Sequence, residues 1–306
     1  MTIDYEGMPT SVELAVQNEI REFNIWFHDI MDFAPGCRFS FKVKQVLCHY
    51  KSKFQDIAIF ETDQLGKVLV LDNIIMTTEF DEFAYHEMIA HVPLLTHPNP
   101  KRVLIIGGGD GGTAREVLKH PEVEECFVCE LDEEVVKACK QYMPSLAHSF
   151  EDKRIRLYFE DGAVFVKKFK NYFDVIIVDS TDPIGPGMVL FQKEFYNDMY
   201  HCLSDDGIVT SQLESIYLHL KIIRQVLGFS REIYPIVSYY TTKVPTYPSG
   251  LIGFAFCSKK YKPQEFSIER AELLKDLKYY TPEIHRFAFC LPKFCADLLD
   301  SKTGKG

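Results

Sequence analysis

The stretch Val103-Leu-Ile-Ile-Gly-Gly-Gly-Asp-Gly-Gly-Thr-Ala-Arg-Glu-Val117 decides the fold. Four apolar residues lead into five glycines broken by one aspartate, and an amphipathic pattern follows. This reads as a buried strand, a tight turn and a helix N-terminus. Gly107, Gly109 and Gly112 satisfy G-x-G-x-x-G in that setting. Glycines let the backbone turn through positive φ and let a ligand lie close against it. The amides of a helix N-terminus ordinarily favour an anion. Asp110 instead puts a negative charge where a carboxylate or pyrophosphate would sit.

Outward from this loop, strands and helices alternate. Apolar runs at 102–106, 125–130, 154–159, 173–178 and 208–212 read as strands. Helical patterns at 112–119, 132–142, 162–169, 192–201 and 216–227 separate or follow them. Segments 237–243 and 252–258 look like a closing antiparallel pair. Such alternation predicts an α/β fold with a parallel, doubly wound sheet and right-handed crossovers. Towards the N-terminus the character changes. A helical pattern from Val12 to His28 holds the only tryptophan, Trp26. Short strands at close spacing then fill 38–79, with Gly66 and Asp72-Asn73 as turns. The expected division is a helix plus β-strand unit at 1–79 and a catalytic unit at 80–306. The latter opens with a helix at 80–95 and ends in a mostly helical tail from 263.

A chain of 306 residues, 46% apolar and 25% charged, is ordinary for a soluble globular protein. No apolar run approaches the length of a membrane span, and the N-terminus lacks the look of a secretory leader. Nine cysteines without a leader suggest reduced thiols and a cytoplasmic location. A formal net charge of −10 argues against a nucleic-acid partner and is compatible with a cationic ligand. Cys126 and Cys129 form a lone C-x-x-C inside an apolar strand, which reads as core. His86-Glu-Met-Ile-Ala-His91 resembles a zinc motif, but its second histidine comes one residue too late to share a helical face with the first. No metal site is expected.

In an open α/β sheet, ligands bind beyond the carboxyl ends of the strands. Four such ends carry acids: Asp110, Glu130, Asp161-Gly162, and Asp179 with Asp182. Each alone has a modest explanation, since an acid after a strand is often a helix N-cap, as Asp161 and Asp132 are expected to be. Four in register point to a ligand. Glu130 lies 18 residues beyond Gly112, near the spacing at which an acid grips a ribose diol. Asp161 is placed to receive an adenine amino group, with a flat surface at Gly162. Asp179-Ser-Thr-Asp-Pro-Ile-Gly-Pro186 offers two close carboxylates, which suit a diamine or polyamine: one partner per ammonium, or one partner and one base.

These residues, with Tyr85-His-Glu-Met88 and Pro245-Thr-Tyr-Pro-Ser-Gly250, together resemble the spermidine synthases, the polyamine aminopropyltransferases. The resemblance runs from about Trp26 to Ser258, and the tail stretch Tyr279-Tyr-Thr-Pro-Glu-Ile-His285 looks like the C-terminal extension of bacterial members. It implies a small N-terminal antiparallel β domain on a Rossmann-like, methyltransferase-type domain. It implies a donor, decarboxylated S-adenosylmethionine, an acceptor, usually putrescine, no cofactor, and a homodimer or homotetramer. By resemblance Gln55 and Asp110 hold the aminopropyl side of the donor, Glu130 its ribose and Asp161-Gly162 its adenine, with Gly107 and Gly109 at the turn and Pro186 along the nucleoside. Tyr85, His86, Asp179, Asp182, Tyr247 and Trp26 would line the acceptor site, with Glu214 at the distal ammonium. Where the family often has a polar residue this chain has Ile216.

The chemistry suits the residues. A sulfonium already carries a good leaving group, so alignment and a neutral amine are what remain to be supplied. Asp179 is the expected base and Tyr85 its helper. Agmatine, cadaverine or spermidine are alternative acceptors. An ordinary S-adenosylmethionine methyltransferase, an NAD dehydrogenase and a non-catalytic binding protein are the other readings. The Asp110 charge opposes the carboxylate or pyrophosphate that the first two would place in the loop.

Overall fold

A computed structural model describes residues 25–29, 38–182 and 185–300; the side chains of residues 185, 186, 297, 298 and 300 are outside it. Thirteen strands are described. Strands β1 (Ile25–His28) and β2 (Ser40–Val43) pair antiparallel. Strands β3 (Gln45–Lys51), β4 (Asp56–Glu61), β5 (Lys67–Leu71) and β6 (Ile74–Thr78) form a second antiparallel sheet in that order. Its turns follow from its sequence: Gly66, Asp72 and Asn73 all adopt positive φ. The helix expected over 12–28 is corrected where it is described. Residues 25–28 are strand, with Ile25 and Phe27 turned towards Phe41 and Phe60 while Trp26 and His28 face out. That two-residue period is a strand's, not a helix's.

The large sheet has the order β12 (Ile236–Lys243), β13 (Leu251–Ser258), β11 (Leu203–Gln212), β10 (Phe173–Asp179), β7 (Arg102–Gly107), β8 (Glu125–Glu130), β9 (Ile155–Phe159). The five strands from β7 to β11 run parallel, and β12 and β13 close the edge antiparallel. Crossovers carry helices to both faces: α1 (Glu82–Thr96), α2 (Gly112–Val117), α3 (Glu133–Tyr142), α4 (Pro144–Ala147), α5 (Gly162–Phe165), α6 (Lys193–Cys202) and α7 (Leu220–Ile233). Short helices α8 (Ile268–Leu273), α9 (Pro282–Ala288) and α10 (Lys293–Asp300) complete the tail. The helix expected at 216–227 begins four residues later and ends six later, at 220–233.

The central strands β7, β8 and β10 are buried on both faces, which is why they read as nearly unbroken apolar runs. Cys126 and Cys129 illustrate this: spaced by three on β8, they point into opposite cores. The four-stranded sheet packs Ile57, Ile59, Leu69 and Leu71 against Val135, Cys139 and Met143 of the α3 region. This docking brings β6 over the glycine loop. Helix α1 is buried almost throughout and its polar residues have long-range partners. Glu87 accepts from the amides of Lys278, Tyr279 and Tyr280 at 2.7–2.9 Å, and so ties down the tail stretch. Residues Tyr85 and His86 of the same turn aim at the glycine loop.

Candidate active site

Strands β7 and β10 are neighbours at the point where strand order reverses, and the ends of both carry the site's polar groups. Gly107 pairs in register with Asp179, and the Gly108 amide donates to the Asp179 carbonyl at 2.9 Å. Gly107 has φ +82, and any Cβ there would overlap that carbonyl. Here the strand ends in a cavity of about 280 Å³. Its wall gathers Asp110, Glu130, Asp161, Asp179, Asp182 and Glu214, and among the described residues it includes no lysine or arginine.

Asp179 has both carboxylate oxygens engaged. Tyr85 donates its hydroxyl to Oδ1 at 2.8 Å, and Thr113 donates to Oδ2 at 2.7 Å. Burial pushes the Asp179 carboxyl above the usual range, the Asp110 charge adds to this, and His86 and the two hydroxyls oppose it. Burial and the Asp179 charge raise the Tyr85 phenol, so it stays a donor.

Asp110 sits within the loop. It accepts from Thr77 Oγ1 on β6 at 2.7 Å and from the Gly112 amide at 2.7 Å, and His86 Nε2 lies 3.4 Å from its Oδ2. Burial opposes its ionisation, yet His86 and these two donors hold its carboxyl well below the ordinary range. His86 passes its other nitrogen to Glu82 at 2.6 Å, one turn back on α1. Burial disfavours a charged ring, but Asp110 and Glu82 outweigh it and raise the imidazole well above the usual value. The ring rests on Gly112, where a Cβ would overlap it.

On the β8 side, burial and the neighbouring Asp132 charge push the Glu130 carboxyl up to about 7, although the Asp132 amide donates to it at 2.9 Å. Asp161 caps α5 by accepting from the Ala163 amide at 2.8 Å, as expected, while remaining on the cavity wall. Gly162 is glycine because Ile106 would collide with any Cβ there, a packing reason that its sequence neighbours do not reveal. Gln55 reaches the cavity but is tied through Nε2 to Asp132 at 3.0 Å. Asp132 also caps α3.

At the opposite end, Asp182 and Glu214 approach each other, and burial followed by the Glu214 and Asp29 charges pushes the Asp182 carboxyl well up. Glu214 adopts positive φ, its carbonyl held by the Gly253 amide and the Tyr239 hydroxyl, and its Oε2 lies 2.9 Å from His219 Nδ1. Tyr247 donates to the Met76 carbonyl at 2.5 Å and packs edge-on to Tyr85. Asp81 fixes its neighbour Thr246 through two bonds at 2.8 Å. One expected residue does not join. Trp26 is 52% exposed on β1 and does not line the cavity. The Pro186 side chain lies outside the described residues. His86 and His91 serve different partners, His91 lying 3.1 Å from Glu116 and 2.9 Å from His120.

Several wall and support residues had no sequence signal strong enough to single them out. Thr77 and Thr113 are ordinary in their local patterns. Glu82 and His86 are spaced i, i+4, which was legible, but the salt bridge from Glu82 to Arg115 on α2 is not local. Gln212, at the end of β11, also lines the cavity.

A family model described as the spermine/spermidine synthase domain matches residues 82–268. The chain belongs to the spermine/spermidine synthase family. The spermidine synthase tetramerisation domain matches residues 25–79. A polyamine aminopropyltransferase of Thermoanaerobacter sp. (strain X514) is 50% identical over 276 residues, 90% of this chain and 99% of the relative. The spermidine synthase of Dictyostelium discoideum is 45% identical over 90% of this chain and 98% of its own length. A crystal structure of spermidine synthase in complex with the transition-state analogue AdoDATO superposes with TM-score 0.88 at 42% identity, covering 94% of this chain and 98% of that one. The Thermotoga maritima spermidine synthase gives 0.87 at 41% identity, covering 95% and 99%. The Rossmann-like, methyltransferase-type fold is thus shared with these enzymes. This member of the spermine/spermidine synthase family is an aminopropyltransferase that makes spermidine. No described helix is long and apolar enough to cross a membrane.

Proposed function

We propose that this chain transfers the aminopropyl group of decarboxylated S-adenosylmethionine to putrescine, with Asp179 as the base. The observation that carries this is the acidic wall, without lysine or arginine among the described residues, with Asp179 and Asp110 facing one space. Such a wall suits cationic ligands and repels a carboxylate near Asp110. In this reading Gln55 and Asp110 hold the aminopropyl end of the donor. Glu130 accepts from the ribose diol, and Asp161 and Gly162 border the adenine beside Gly107 and Gly109. Pro186 lies along the nucleoside. Tyr85, His86, Asp182 and Tyr247 flank the acceptor, and Glu214 takes its distal ammonium. Trp26 is left out because it is exposed and off the cavity.

The amine nitrogen attacks the propyl carbon bonded to the sulfonium. The C–S bond breaks, its electrons pass to sulfur to give methylthioadenosine, and the proton leaves for Asp179. Alignment of the two substrates contributes to the acceleration, up to about 7–11 kcal/mol in well-oriented systems. No cofactor takes part. We further propose residues 1–79 and 80–306 as the two structural units and a homodimer or homotetramer as the assembly, supported by the tetramerisation-domain match. A cytoplasmic location goes with this reading. The test is an acceptor panel of putrescine, cadaverine, agmatine and spermidine with decarboxylated S-adenosylmethionine, products read by mass. Spermidine from putrescine is the expected main product. Preference for another amine, or methyl transfer from intact S-adenosylmethionine, would overturn the assignment.

A further inference from the structure

The acid-walled cavity poses a problem for its own reaction. Clustered carboxylates stabilise an ammonium, whereas the attacking nitrogen must be neutral. Of the two histidines among the described wall residues, His219 faces Glu214 and His86 lies beside Asp110, where it counters this. His86 is 2% exposed and lies between two carboxylates, Glu82 at 2.6 Å from Nδ1 and Asp110 at 3.4 Å from Nε2. A protonated ring answers both: it donates from Nδ1 to Glu82 and sets its positive charge against Asp110 as an ion pair, which a neutral ring would not do.

Glu82 cannot relax to a protonated acid. Arg115 of α2 donates to both its oxygens, at 3.1 and 2.8 Å. Arg115 is in turn anchored by Nε to Glu116 at 2.7 Å, and Glu116 meets Lys119 at 2.8 Å. Burial resists the Glu82 charge, yet His86 and Arg115 hold its carboxyl below the usual range. The groups facing His86 are therefore Glu82 and Tyr85 from α1, Asp110 from the loop after β7, Arg115 through Glu82 from α2, and Asp179 from β10.

We propose that Glu82, oriented by Arg115, is a positioning residue that holds His86 as a protonated ring and so sets a positive charge beside the carboxylates where the acceptor nitrogen must be neutral. This rests on the acceptor reading above, but its central claim is about one ring's protonation and needs no turnover to test. The charge biases the reacting nitrogen towards its free-base form while leaving the far carboxylates, Asp182 and Glu214, to hold an ammonium.

The experiment has two arms on the full-length enzyme. The first is ¹⁵N-imidazole NMR with His86 assigned by difference from His86→Gln. In the unsubstituted enzyme His86 is expected to stay protonated at pH values where an ordinary histidine is neutral. In Glu82→Gln it is expected to titrate in the ordinary range. The second arm is the pH profile of acceptor kcat/KM at saturating donor. The acid limb of Glu82→Gln should move to higher pH, with about a tenfold loss at pH 7 that recovers in alkali. A purely structural role would lower activity evenly at all pH values. A neutral His86 at pH 7 in the unsubstituted enzyme, or a folded Glu82→Gln variant with an unmoved limb, overturns the inference. Should that variant not fold, the unsubstituted titration alone decides. Failure of the Asp179 assignment would show instead as turnover by Asp179→Asn with His86 unaffected.

Discussion

Asp179 offers the sharpest test, because its two oxygens are each met by one hydroxyl that can be removed without loss of shape. Tyr85→Phe deletes the donor to Oδ1 at 2.8 Å, and Thr113→Val deletes the donor to Oδ2 at 2.7 Å. The Tyr85 ring is held by Tyr247 and Phe254 at 5.9 and 5.3 Å between centroids, so phenylalanine keeps its packing. A hydrogen bond to a buried charged group contributes about 1.5–3 kcal/mol. Each substitution should therefore lower kcat/KM by about 10- to 150-fold at neutral pH. Because both donors hold the same carboxylate, the double variant should fall by less than the product. The sign of the pH effect follows from the environment. Both hydroxyls favour the ionised form, so their loss raises a carboxyl that burial has already raised. The fraction able to act as base then shrinks, the acid limb moves to higher pH, and part of the loss returns in alkali. The assay is steady-state aminopropyl transfer across pH with both substrates saturating in turn. A double variant with unchanged kcat/KM at every pH would refute Asp179 as the base and the role of its two donors.

Asp110→Ala should weaken decarboxylated donor binding and relax the rejection of intact S-adenosylmethionine; unchanged inhibition constants for both ligands would contradict that. Glu130 is raised to about 7 by burial, and its ionised form is the one that accepts from a ribose diol. Methylthioadenosine affinity, measured by titration calorimetry, should be full above that pH and fall about tenfold per unit below it, with the dependence abolished in Glu130→Gln. Asp161→Ala removes the α5 cap and should cost about 1 kcal/mol in denaturant unfolding. Asp161→Asn keeps the cap, so any drop in its nucleoside affinity isolates the ligand contact.

The parts legible in the sequence were those carried by local period. Strands β7, β8 and β10 are apolar on both faces, and acids stand at or just beyond the ends of β7, β8, β9 and β10, so the strand ends named the site. Residues 25–28 were read as helix because the helical pattern upstream runs into them without a break, while the pairing that makes them a strand comes from Ser40–Val43 and their packing from Phe41 and Phe60. The start of α7 was misplaced because Ile216 is apolar and buried, as a helix residue would be, yet it lies in a loop shaped by Glu214 at positive φ and by bonds from the Leu218 and His219 amides to the Ser215 carbonyl. Gln55 has its amide on Asp132, a partner 77 residues on. Arg115 on Glu82 spans 33 residues. Such contacts are products of docking, and no spacing encodes them.

Docking also changes what the glycine loop is for. Its glycines answer first to the protein's own groups: Gly107 to the Asp179 carbonyl and Gly112 to the His86 ring. The loop brings Asp110 to 3.4 Å from His86 and lays the Gly108 amide on the Asp179 carbonyl. An aspartate inside it is then tolerable because Thr77, the Gly112 amide and His86 meet its charge before any substrate arrives. This has a consequence for substitutions at Gly112. Alanine suits a helix better than glycine by roughly 1 kcal/mol, but here its methyl would displace the His86 ring and with it the cation beside Asp110. Activity and helix propensity thus pull in opposite directions at one residue, which is the expected mark of a position set by the site and not by the helix it begins.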